Sequence, residues 1–133
     1  MIRCVRIWTG DDGNSTFEEG SIDLSKSHGK DVLSAVAPAV SVSFRETPSG
    51  GDYGWHNDPT PQLVLTLSGT LQFTVKDGRT FTIRPGDVLF AEDHTGTGHT
   101  WRLLDDQPWR RAYVVTHQLD AVPFVAQKKL TAK

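Results

Sequence analysis

Through most of the chain apolar and polar residues alternate with a period of two, in short runs cut by glycine and proline. That pattern predicts strands over residues 2–8, 39–47, 62–67, 70–75, 80–83, 88–90, 100–104 and 111–117. In the second run Val40, Val42 and Phe44 share one face. Asp77-Gly78 predicts a tight hairpin, because both residues tolerate positive φ, and Pro85-Gly86-Asp87 predicts the next turn. Helical periodicity is almost absent: residues 31–37 allow one or two turns before Pro38. Residues 9–20 and 120–133 read as loop and terminal extension, the latter a basic tail. Strands this closely spaced, with no linker between them, imply an all-β protein: one antiparallel sandwich or barrel in a single domain spanning 1–133.

Composition narrows the class. A chain of 133 residues has room for one domain, and 37% apolar with 23% charged residues suits a soluble globular protein. The net charge of -2, with both signs interspersed, argues against nucleic acid as a partner. No apolar run approaches the roughly 20 residues that cross a bilayer, so no membrane partner is expected. Two arginines near the N-terminus are followed by no apolar stretch, so it does not read as a secretory signal. Cys4 is the only cysteine, which excludes an internal disulfide and a cysteine-rich zinc site. The cytoplasm is the default location.

Three polar groups stand out: two clusters that carry candidate metal ligands, and the arginine group Arg102, Arg110 and Arg111. The first is Trp55-His56-Asn57-Asp58-Pro59-Thr60-Pro61-Gln62. His56 and Asp58 are two apart, so an extended chain projects them from one face, and Gln62 returns to that side after two prolines have turned the backbone. The second is Asp93-His94-Thr95-Gly96-Thr97-Gly98-His99, where a glycine-rich turn delivers His99 to a strand that has Trp101 and Leu103 on its face. Two imidazoles with one or two oxygens suit zinc or another first-row transition metal. Asp58 reads equally as a ligand, a base or a turn residue before Pro59. Asp93 reads as a residue that fixes its own turn, and His94 as a surface turn residue. Tyr53, Trp55 and Trp101 either wall a pocket or fill the core; Trp8, Trp109 and the phenylalanines read as core or interface, and His117 only closes the last strand. Arg102 alternates away from His99 toward the outside.

On these residues the chain resembles the cupin superfamily. The first cupin motif, G-x5-H-x-H-x(3,4)-E-x6-G, is matched in spacing by Gly50, His56, Asp58, Gln62 and Gly69, with Asp58 for the second histidine and Gln62 for the glutamate. The second, G-x5-P-x-G-x2-H-x3-N, begins at Gly86 and ends at Gly96-x2-His99; it is two residues longer here, with His94 for the proline and Leu103 for the asparagine. The likeness covers about residues 40–117. It implies a cupin double-stranded β-helix, a conical antiparallel β-barrel of jelly-roll type. It also implies one divalent metal ion (Fe, Zn, Mn or Ni) inside, with His56, Gln62, His99 and Asp58 on ligand positions. A neutral amide is a weaker ligand than a carboxylate, and Asp58 restores that charge or stays free as a catalytic base.

Three functions follow as expectations. The first is a metal-dependent enzyme acting on a small organic acid or carbonyl compound, by isomerase, cyclase, lyase or dioxygenase chemistry, with Asp58 moving a proton. The second is an iron- and oxoacid-dependent oxygenase, in which His56, Asp58 and His99 form the two-histidine, one-carboxylate set and Arg110 holds the oxoacid. The third is a non-catalytic barrel that binds a small ligand, although no DNA-binding helix pair accompanies it. Sheet edges need covering, so a homodimer is expected, with residues 2–8 as a candidate covering or swapped strand.

Overall fold

The computed structural model describes residues 1–127 of the chain. Its strands are β1 Arg3–Thr9, β2 Ser15–Ile22, β3 Lys26–His28, β4 Asp31–Leu33, β5 Ser41–Thr47, β6 Asp52–His56, β7 Gln62–Ser68, β8 Leu71–Val75, β9 Thr80–Ile83, β10 Val88–Ala91, β11 His99–Leu103, β12 Trp109–Val115 and β13 Phe124–Ala126. A short 3-10 turn, Leu119–Ala121, precedes β13. One sheet has seven strands in the order β13-β2-β1-β10-β7-β12-β5, and the sheet facing it has four, β6-β11-β8-β9. This is the all-β architecture the alternation predicts, in the double-stranded β-helix form that the resemblance implies. All pairings run antiparallel except β1 with β10, which run parallel.

Alternation along the strands builds the core between the two sheets. The large sheet contributes Val5, Ile7, Val64, Leu89, Ala91 and Trp109, and the small sheet Leu71, Phe73, Val75, Phe81, Ile83 and Trp101. Phe73 and Phe81 stack with ring centroids 5.0 Å apart. On the other face of the large sheet Cys4, Val88, Phe90 and Val122 form a second cluster, packed by Leu63, Leu65, Leu119 and Phe124. The segment after β12 thus covers β1, β10 and part of β7, while β5 lies beyond its reach.

Several local expectations change. Residues 31–37 do not turn into a helix: Asp31–Leu33 pairs with Lys26–His28 around Gly29, whose φ of 61° suits a hairpin turn. Residues 9–20 are not all loop: Ser15–Ile22 pairs along the whole of β1, with Phe17 packed on the core. The terminal extension also holds a strand, β13, paired with β2; the rest of the expected basic tail, 128–133, lies outside the described residues. Asp52–His56 is a strand paired with β11. The N-terminal strand does not cover an outer edge, since β1 sits inside the sheet between β2 and β10. Phe44 is not core: it lies on the uncovered face of the edge strand β5 and is 75% exposed, with Val40 and Val42 also exposed.

Candidate metal centre

His99 opens β11 and His56 closes β6, and the two are direct partners across the strand pair. Their rings meet edge to face with centroids 4.5 Å apart. Glycine makes this approach possible. Gly98 has a φ of 71°, and a Cβ there would fall 2.0 Å from the carbonyl oxygen of His56. Asn57 ties the two segments together by donating its side-chain amide to the carbonyls of Thr95 and Gly96. The Asp58 amide donates to the carbonyl of Asp93 at 3.2 Å. The side chain of Asp58 is buried beside the histidines, and Gln62, buried at the start of β7, lines the same cavity. That cavity measures about 510 Å³.

The tautomer of each histidine follows from its partner. His56 Nδ1 lies 2.7 Å from the carbonyl oxygen of Gly54, which can only accept, so Nδ1 carries the proton and Nε2 keeps its lone pair. His99 Nδ1 lies 2.5 Å from Oδ2 of Asp93, and the Ser15 hydroxyl donates to the same oxygen at 2.8 Å. Asp93 therefore does more than fix its own turn: its side chain is fully buried and anchors His99. A carboxylate behind a histidine fixes the ring and makes the far nitrogen a better donor.

Charge in this corner is strongly perturbed. Burial pushes the Asp58 carboxyl up to about 7, aided by the negative charge of Asp93 and opposed by His99. Burial works the same way on Asp93, but the hydrogen bond and charge of His99, with Asp58 and Ser15, outweigh it and hold Asp93 low. Burial opposes the charged form of His99, and Asp93 and Asp58 overcome it, so His99 is raised. His56 is lowered, mainly by burial. Asp58 Oδ2 and Asp93 Oδ1 are buried with no hydrogen-bond donor.

Among the described residues, His56, Asp58 and His99 could hold a metal ion, with one ligand atom from each within 4.8 Å of the others. An ion bonded at ~2.1 Å spans at most about 4.2 Å between donors, so a small inward turn of the side chains closes the set. The orphaned Asp58 oxygen and the two anchored imidazoles fit a divalent cation. Gln62 adds a neutral oxygen on the same cavity.

The other predicted residues divide. Tyr53 and Trp101 line the cavity, whereas Trp55 faces away and lies under the Lys76 ammonium. His94 and His117 are exposed, outside the cavity. Arg102 is exposed and bonded to Gln72. Arg110 does not point inward: it is exposed beside Glu46, at 3.5 Å. The inward arginine is Arg111, 3% exposed, which sequence reasoning did not separate from its neighbour. Arg111 shares its side of β12 with Trp109 and Tyr113, so alternation along the strand places it inward and Arg110 outward.

A small barrel of two β-sheets with a His-Asp-His cluster in its cavity is the class these observations define. Comparison with known proteins agrees: the cupin domain family matches residues 43–115, more than half of the chain, and the chain belongs to that family. Similar solved structures include a DUF861 family protein from Thermotoga maritima (22% identity, TM-score 0.46, covering 55% of this chain and 76% of that one). A conserved protein with a double-stranded β-helix domain from Klebsiella pneumoniae is 20% identical, with a TM-score of 0.46, over 78% of this chain and 90% of that one. The Cnp3 cupin domain of Schizosaccharomyces pombe is 16% identical, with a TM-score of 0.48, over 90% of this chain and 86% of that one. No curated protein matches the chain. Among the described residues no helix is long and apolar enough to cross a membrane.

Proposed function

We propose that the chain is a metal-dependent cupin enzyme acting on a small organic acid or carbonyl compound. The observation that carries this reading is the buried Asp58 oxygen without a donor, set beside two imidazoles whose Nδ1 atoms are already engaged. His56 and His99 would hold one divalent ion through Nε2, with Asp58 and Gln62 supplying oxygens. Such an ion supplies Lewis acidity toward a substrate oxygen. The chain's own part is to anchor the two rings through Gly54 and Asp93 and to wall the cavity with Tyr53 and Trp101. Asp58 has two roles within reach, donor and proton carrier; its free oxygen favours the donor role. The Asp58→Asn variant tests the choice. Loss of the ion supports a ligand, and a retained ion with lost turnover makes Asp58 the base.

The test of the whole reading is metal content. Protein purified without chelator should carry close to one divalent ion per chain, or take one up from iron, zinc, manganese or nickel. A chain that binds none of these is not a metal enzyme. The oxygenase reading has the His56, Asp58 and His99 set in its favour. It loses the oxoacid anchor assigned to Arg110, which sits outside. Turnover of an oxoacid with iron would restore it.

We also propose a homodimer, now through β5 rather than the N-terminal strand. β5 is a bare sheet edge carrying exposed Val42 and Phe44. Gel filtration should give about twice the chain mass of 14.7 kDa, and Phe44→Glu should return it to that value.

A further inference from the structure

The wall of the cavity formed by the large sheet has a chemistry of its own. Arg111 on β12 and Arg45 on β5 are direct partners across the strand pair, and both line the cavity. Like charges directly opposite one another destabilise a sheet. Neither arginine has a carboxylate partner among the described residues; Asp52, which also lines the cavity, makes an ion pair with neither. Arg111 is buried and held from behind. Its Nη1 donates to Thr47 Oγ1 at 2.8 Å and to the Trp109 carbonyl at 3.1 Å, and its Nε donates to the Tyr113 hydroxyl at 3.1 Å. Its guanidinium carbon lies 3.7 Å from the centre of the Trp109 ring. Nη2 has no partner among the described residues, yet it is not sealed from solvent.

A purely structural arginine would be explained by its stacking on Trp109. That does not explain the second guanidinium. Arg45 lies across from Arg111, over the Tyr113 ring at 5.0 Å. Two unneutralised cations on one half-enclosed wall, one fixed in orientation by three hydrogen bonds, form a preorganised anion receptor. A planar guanidinium with a free nitrogen fits a planar carboxylate, and the ring faces of Trp101 and Tyr53 favour an apolar body behind it.

We propose that Arg111 and Arg45 form a carboxylate-binding subsite, which takes the acid group of an organic acid whose other end bears an oxygen directed to His56, Asp58 and His99. The second half of this statement rests on the proposed metal reading; the first does not.

The experiment uses the full chain, stripped of metal by chelator, titrated calorimetrically with benzoate, acetate, neutral benzamide and inorganic phosphate. Benzoate should bind saturably, and benzamide at least about tenfold more weakly, the loss expected when a charged hydrogen bond is removed. Arg111→Gln should abolish benzoate binding. Since Arg111 is buried and that variant can fail to fold, the exposed Arg45 carries the decisive arm. Arg45→Gln should weaken benzoate several-fold while raising the melting temperature of the ligand-free protein, because repulsion is relieved. A merely structural Arg45 would not move the two readouts in opposite directions. No saturable binding of benzoate or acetate, equal affinity for benzoate and benzamide, or unchanged benzoate binding in Arg45→Gln overturns the proposal. Tighter binding of phosphate than of benzoate overturns the assignment to a carboxylate. Metal uptake measured on the same variants separates the two readings. A chain that takes up no ion yet binds benzoate through Arg45 leaves this subsite standing and removes the metal enzyme.

Discussion

On the histidine side of the cavity most buried charge is answered from within: His99 lies against Asp93, Asp93 against Ser15, and burial raises Asp58 to about 7, leaving one oxygen each of Asp58 and Asp93 without a donor. On the arginine side Arg111 lies against aromatic rings and a second arginine, with no acid among the described residues. The first side is a closed network with a few lone pairs pointing inward. The second is an open one, in which the missing partner has to come from outside. Burying an unpaired charge costs several kcal/mol unless hydrogen bonds and a ligand offset it. The contrast therefore separates residues that hold a site together from residues that await something.

Breaking the closed network should have the largest effect. His99→Ala removes one donor and leaves Asp93 buried without its cation, so metal uptake should vanish. Denaturant unfolding should show a loss of about 3–5 kcal/mol. Asp93→Asn keeps the volume and deletes the charge behind His99. Metal affinity measured by competition with a chelator should fall about 10–100-fold, with the ion still bound at saturation.

A smaller effect concerns acidity in the metal-free protein. Unfolded Asp58 titrates near 3.8 and folded Asp58 at about 7, so between those values the folded chain keeps a proton that the unfolded chain has lost. Stability should therefore fall as pH rises through that window. The raised His99 acts in the same direction, its contribution disappearing above its elevated value, while the lowered Asp93 loses its own only as the solution becomes strongly acidic. Urea midpoints of the parent should decline from pH 4 to pH 8. Those of Asp58→Asn should decline much less, since each factor of ten by which folding weakens an acid is worth about 1.4 kcal/mol. The smallest effect belongs to Arg110→Ala. This exposed residue should change benzoate binding not at all and stability by less than about 0.5 kcal/mol. A large effect there would mean that the inward and outward arginines have been assigned the wrong way round.

The sequence carried the strands that alternate cleanly and the Asp77-Gly78 hairpin, because local spacing encodes them; the meeting of His56, Asp58, Gln62 and His99 was implied by the resemblance to cupins, since His56 and His99 are far apart in the chain. It did not carry β2, whose Ser15–Ile22 run has only Phe17 and Ile22 as large apolar residues and takes its order from pairing with β1. Nor did it carry the role of Asp93, since Ser15, its second partner, is 78 positions away. The inward arginine was legible, since Arg111 alternates in step with Trp109 and Tyr113, but the strand predicted over 111–117 left out Trp109, the residue that marks the inward side. Phe44 was read as core or interface, and the structure removes the first of these: a period tells which residues share a face and not which face is covered.

The parallel pairing of β1 with β10 has a consequence for how the chain is made. Cys4 and Val88 face each other in the ladder, so β1 cannot complete its pairing until residues 88–91 have been synthesised. Until then both borders of the β1–β2 ribbon stay bare, because β13, which covers the other one, is made later still. The thiol of Cys4 keeps time: in the finished fold burial pushes it up to about 12, where it resists alkylation, whereas in an unfinished chain it would react as an ordinary cysteine.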